Sequence, residues 1–204
     1  MTNRFSKIFM DSDGDIPDVI AGLMTGVKGM RVYIGPTDLI SDLPVVVDFA
    51  HHQLHEGELH QYTYGPAALA NGATIDLRIV VGNLEPTTRT PHFAVELDAT
   101  AETWLYLYET PTTSANGTQQ TVYNRNRNSA TVPGTSLWLS PTVSAVGTPL
   151  SSWIVGAGNK TGGNGRDSIE WGLKPNTVYL IRMTAKATGD NVCLRAMWYE
   201  DLGV

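Results

Sequence analysis

The chain has 204 residues, of which 42% are hydrophobic and 17% charged, with 20 glycines, 11 prolines and a formal net charge of −6. An acidic chain without a basic stripe has no electrostatic footprint for phosphate backbones or anionic lipid, so nucleic-acid and membrane partners are not expected. Its single cysteine, Cys193, excludes an intrachain disulfide, and no stretch reaches the roughly 18 apolar residues of a membrane span.

Residues 1–44 read as an N-terminal arm and 45–204 as one β-sandwich domain. Met1–Met10 runs at once into four aspartates and lacks the apolar centre of a signal peptide, so folding in a cytoplasm is expected. The segment Asp11-Ser-Asp-Gly-Asp-Ile-Pro-Asp18 sets oxygen ligands at every second position, as calcium loops do. Gly22 stands where an EF-hand requires Glu, which leaves a solvated acidic segment as the plainer reading. A short amphipathic helix is expected near Pro17–Met24.

The run Asp48-Phe-Ala-His-His-Gln-Leu-His-Glu-Gly-Glu-Leu-His60 holds His51, His52, His55 and His60, four of the five histidines. On a helix His51 and His55 share a face at the i, i+4 spacing that can hold zinc. The residue after His51 is His52, not the Glu of a zinc protease, and Gly57 ends any helix here. A structural histidine turn is therefore expected, its imidazoles paired with backbone or with Asp48, Glu56 and Glu58, and with no metal and no cofactor.

From Val45 onward β-branched and aromatic enrichment predicts strands over 58–64, 73–82, 91–99, 102–109, 134–139, 151–156, 166–173, 177–186 and 191–200. In Thr103–Tyr108 the residues Trp104, Tyr106 and Tyr108 share one face, and Leu105 and Leu107 the other. Cys193 is expected as a buried strand thiol. Turn dipeptides such as Asn71-Gly72, Asn116-Gly117 and Pro175-Asn176 separate the runs. This pattern predicts an all-β fold, an antiparallel β-sandwich of jelly-roll type. The polar stretch Thr110–Pro133 is too long for a hairpin and is expected as a contact loop. No internal repeat is evident.

Catalytic signatures are missing. There is no G-x-S-x-G elbow, and the glycines of Gly156–Gly165 lack the G-K-[ST] ending of a phosphate loop. Adjacent carboxylates such as Glu56 and Glu58 are ordinary for a polar turn. No catalytic residue is assigned, and the chain is not expected to be an enzyme.

The run Asp48–Gly57 ahead of a first strand, the Asn/Arg-rich Tyr123-Asn-Arg-Asn-Arg-Asn-Ser129, then Leu173-Lys-Pro-Asn-Thr-Val-Tyr179 and Ala196-Met-Trp-Tyr-Glu200 occur in this order. Over 45–204 the chain thereby resembles tailed-bacteriophage capsid decoration (cement, or head auxiliary) proteins. The resemblance implies a structural virion protein, made in the host bacterial cytoplasm and bound as a homotrimer to the major capsid protein on the outer head surface. It makes Asn124, Arg125, Asn126, Arg127 and Asn128 the expected capsid or subunit contacts. It likewise makes the N-terminal arm, residues 1–44, an expected capsid or inter-subunit contact. The alternative is a receptor- or carbohydrate-binding module of a tail fibre or collar, using Trp104, Tyr106 and Tyr108 or the long loop Thr110–Pro133.

Overall fold

A computed structural model describes residues 33–34, 46–47, 49–82, 84, 89–156, 163–166 and 170–202. They fall into two units, Met1–His52 and Gln53–Val204. In the first, β1 (Tyr33–Ile34) pairs antiparallel with β2 (Val46–Val47), and the helix α1 (Phe49–Glu56) begins. The Asp11–Asp18 segment, the helix expected near Pro17–Met24 and Asp48 lie outside the described residues, as does the rest of the expected arm apart from β1.

The second unit is an antiparallel β-sandwich. Its strands are β3 (Leu59–Leu69), β4 (Thr74–Val81), β5 (Arg89–Ala99), β6 (Thr103–Glu109), β7 (Thr112–Ala115), β8 (Thr118–Gln119) and β9 (Tyr123–Asn124). They continue with β10 (Thr135–Leu139), β11 (Thr142–Ala145), β12 (Thr148–Val155), β13 (Gly163–Arg166), β14 (Trp171–Gly172), β15 (Val178–Ala185) and β16 (Asp190–Leu202). One six-stranded sheet has the order β12-β6-β15-β4-β10-β8. The other runs β13-β5-β16-β3-β9, with β14 also on β5. Among the long strands the chain steps from one sheet to the other at β3–β4, β4–β5, β5–β6 and β15–β16. The last two strands therefore lie inside their sheets, β15 between β6 and β4, and β16 between β5 and β3.

Strand alternation explains the core, because every second side chain turns inward. Leu77, Ile79 and Val81 of β4, Leu105 and Leu107 of β6 and Ile181 and Met183 of β15 line one side. Phe93, Val95 and Leu97 of β5 and Val192, Leu194, Ala196 and Trp198 of β16 line the other. Burial of each large apolar side chain contributes about 1.5–3 kcal/mol. Trp104, Tyr106 and Tyr108 turn outward and are half-buried, so the expected division of β6 holds. Cys193 is only partly buried, unlike the expected core thiol, because it sits one residue out of phase with Val192 and Leu194.

Buried carboxylates hold the ends of the sandwich. Asp190 accepts from the Ala101 amide at 2.8 Å and from the hydroxyls of Thr100 and Thr103, joining the turn before β16 to the turn before β6. Glu200 accepts from the amides of Gly134 and Thr135, both at 2.8 Å, and from the Trp198 indole at 3.3 Å. Hydrogen bonds to a charged acceptor are worth more than neutral ones, about 1.5–3 kcal/mol, and so offset the cost of burying it.

The stretch expected as one long loop, Thr110–Pro133, contains β7, β8 and β9. The strand expected over 166–173 is replaced by β13 and β14. An internal repeat, not anticipated above, emerges with them. Leu107-Tyr-Glu-Thr-Pro-Thr-Thr-Ser-Ala-Asn-Gly-Thr118 and Leu137-Trp-Leu-Ser-Pro-Thr-Val-Ser-Ala-Val-Gly-Thr148 align at an offset of 30 residues (137 − 107). Thr110 (φ 56°) and Ser140 (φ 54°) take the same left-handed conformation ahead of proline. Their amides donate to Val178 O at 2.8 Å and Asp76 O at 2.9 Å. β7 pairs with β11, Glu109 opposes Thr148, and Leu139 opposes Thr118. A local two-fold thus relates β6 with β12 to β10 with β8, and exchanges β15 with β4.

Candidate interaction site

The helix α1 ends in a Schellman motif, in which the Glu58 amide donates to Gln53 O at 3.0 Å and the Gly57 amide to Leu54 O at 3.2 Å. Gly57 has φ 77°, and a Cβ there would run into Ser129. Both conformation and space demand glycine, and the close approach brings the Asn/Arg segment against the histidine turn.

The alternation of Asn and Arg in this segment has a structural cause. The Asn124 side-chain oxygen accepts from the Asn126 amide at 2.9 Å, and that of Asn126 from the Asn128 amide at 3.1 Å, so two Asx-turns follow each other. Asn124 Nδ2 donates to Gly57 O at 2.6 Å and to Thr131 O at 3.3 Å; Asn126 Nδ2 donates to His55 O at 3.1 Å. Asn124 is 9% exposed, so its side chain holds the loop from within and is not itself a surface contact. Arg125, Arg127 and Asn128 are exposed. Arg127 lies over the Tyr123 ring at 5.5 Å, and Arg125 Nη1 is 3.8 Å from Met197 Sδ.

The segment borders an open groove of about 470 Å³. On one side are Gln61, Tyr62 and Thr63 of β3; on the other are Gln120, Thr121, Tyr123, Asn124, Arg125 and Arg127. The groove forms because the chain pairs with β10 at Gln120, whose amide donates to Leu137 O, and reaches β3 only at Tyr123. Tyr62 turns inward, and its hydroxyl donates to Gln120 Oε1 at 3.2 Å, closing the floor. Among the described residues that line it, arginine is the only charged type. Two large exposed apolar side chains, Tyr123 (57%) and Val132 (82%), lie within the same stretch.

The sequence-predicted histidines separate. His51, His52 and His55 are on α1, and each has an interaction partner. His60 is on β3, fully buried, 5.9 Å from the Trp198 ring and opposite Asn124 in the β3–β9 ladder. Neither ring nitrogen of His60 has a hydrogen-bond partner, so the expected pairing fails there: an inward strand position surrounds the imidazole with core side chains. Loss of hydration lowers its pKa from 6.5, against the smaller upward pull of Glu200. Among the described residues no group of three His, Cys, Asp or Glu side chains is placed to hold a metal ion.

On the first sheet's outer face, Tyr106 and Tyr108 stack at 5.8 Å and Lys186 Nζ lies 3.7 Å over the Trp104 ring. Ring faces that a sugar would stack on are thus partly taken by neighbours. Sequence reasoning missed the β3 side of the groove, whose polar residues Gln61 and Thr63 carry no motif. The alternation of Asn and Arg was the signal that marked the other side. No family model and no curated protein matches the chain. No helix among the described residues is long and apolar enough to cross a membrane.

Proposed function

We propose that this chain is a structural virion protein of a tailed bacteriophage that decorates the head, binding the major capsid protein on the outer surface as a homotrimer. It has no enzymatic role in this reading. The observation that carries it is the Asn/Arg segment, where asparagines are engaged internally and hold exposed Arg125 and Arg127 on a firm base. Pre-organised surface arginines suit protein recognition, because little ordering remains to be done on binding. The strand orders β12-β6-β15-β4 and β13-β5-β16-β3 support the finer fold reading, since two interlocked Greek keys of this kind make a jelly roll. Buried Asp190 and Glu200 fit as well, both serving backbone amides away from the groove lining. Many copies on a lattice turn modest single contacts into firm attachment.

The test is cosedimentation of the full chain with undecorated heads and with free capsid subunits. Strong binding to heads alone is expected, and a chain lacking residues 1–44 should melt as the full chain does yet bind heads more weakly. A chain that ignores heads but binds host cells or polysaccharide replaces this reading with a tail-fibre or collar module.

A further inference from the structure

We propose that the groove beside β3 receives an extended acidic polypeptide segment, which lays its backbone along Thr63 and sets carboxylates against Arg125 and Arg127. The inference rests on the proposed protein-binding role and names the chemistry of the partner segment. Its geometric basis is an unfinished ladder. β9 pairs with β3 only at His60 with Asn124 and Gln61 with Tyr123, and the Arg125 amide adds a bond to Leu59 O at 2.8 Å. Residues 59 and 61 therefore direct their backbone groups toward β9, and by alternation Thr63 is the next to do so. Opposite Thr63 the chain has already turned away toward β10, so among the described residues no strand continues the ladder. An extended segment entering there gains backbone hydrogen bonds that a small anion cannot make, which is the mode of strand addition.

Charge selects the kind of segment. The chain carries a net −6, yet among the described residues the groove lining holds Arg125 and Arg127 and no carboxylate. Neither arginine is paired with an acidic side chain among the described residues; their contacts are Met197 Sδ, Asn124 O and the Tyr123 ring. The two Asx-turns fix the backbone that carries them, so both cations stand ready at one edge of the open strand.

The experiment measures fluorescence anisotropy of labelled ten-residue peptides with the full chain: alternating Glu-Thr, its uncharged Gln-Thr isostere, and the Glu-Thr peptide with alternate backbone amides N-methylated. The acidic peptide should bind about fivefold or more tighter than the Gln isostere, the scale of two partly exposed ion pairs. Arg125→Gln with Arg127→Gln should erase that preference. N-methylation should weaken binding, as should Thr63→Pro in protein whose melting midpoint is unchanged. Equal binding of the acidic and Gln peptides, or of the methylated and unmethylated ones, overturns the proposal. A double arginine variant that decorates heads as well as the original chain also overturns it, while leaving the virion role standing. Tight acidic-peptide binding by a chain that ignores heads does the reverse.

Discussion

His60 and Asn124 face each other across the β3–β9 ladder, and burial acts on them in opposite ways. Asn124 satisfies two carbonyls and one amide, so Asn124→Ala leaves the Gly57 carbonyl without its donor. A loss of about 1–3 kcal/mol is expected in urea unfolding. The exposed Asn128 supplies only its backbone amide to the turn, and Asn128→Ala should stay within about 0.5 kcal/mol of the original chain. Equal effects of the two would refute the internal role of Asn124. His60 is held below its usual 6.5 by loss of hydration, so the unfolded chain binds the more protons between the folded value and 6.5. Its neutral form supports the fold fully above 6.5, and that support declines as pH falls through and below this value. Urea midpoints measured down a pH series should fall on the acid side of 6.5, and His60→Leu should flatten that part of the curve. The burial of His60 was legible in principle, since strand alternation from Leu59 puts it in phase with Tyr62. The histidine cluster around it drew the reading toward a turn instead.

Long strands such as β4, β5, β15 and β16 were legible because they alternate apolar and polar residues or carry continuous β-branched runs. β8 and β9 have two residues each, Thr118–Gln119 and Tyr123–Asn124, and no hydrophobic period can mark them. The repeat escaped for a related reason: its shared residues are Pro, Thr, Ser, Ala and Gly as well as one Leu, and a search for apolar periodicity passes over them. A comparison of the chain with itself at an offset of 30 finds it (137 − 107). The meeting of the Asn/Arg segment with the histidine turn depends on Gly57 touching Ser129 and on the β3–β9 pairing, contacts that neither motif announces alone. The local two-fold makes a prediction at this scale. Gly117 (φ 86°) and Gly147 (φ 87°) would drive a Cβ into Leu139 O and Glu109 O respectively. Gly117→Ala and Gly147→Ala should therefore cost similar amounts, at least about 1 kcal/mol each by the strain of a left-handed residue alone. Gly189→Ala shares the positive φ (76°) but meets open space, so its cost should be smaller. Unequal losses at Gly117 and Gly147 in denaturant titrations would argue against equivalent packing.

For the molecule as a whole, the sequence conveyed the all-β class and the outward aromatic row of β6, while sheet order had to come from pairings far apart in the chain. Those pairings set a timetable for synthesis. β15 and β16 are made after the other described strands of the sandwich, yet each joins the two halves of its sheet, β6 to β4 and β5 to β3. They also bring Tyr179, Ile181, Met183, Leu194 and Trp198 to the core. While residues 178–202 are still inside the ribosome, the nascent chain holds unjoined half-sheets with open edges and exposed apolar faces. The sandwich must then close after those residues emerge, and the distant pairings place it among slow folders, on a scale of milliseconds to seconds. A chain halted at Thr177 should show no cooperative melting and should be cleaved rapidly by protease, whereas one extended through Val204 should resist. During that interval the open edges are also where nascent chains on neighbouring ribosomes can pair with each other, so expression yield should fall as synthesis is made denser.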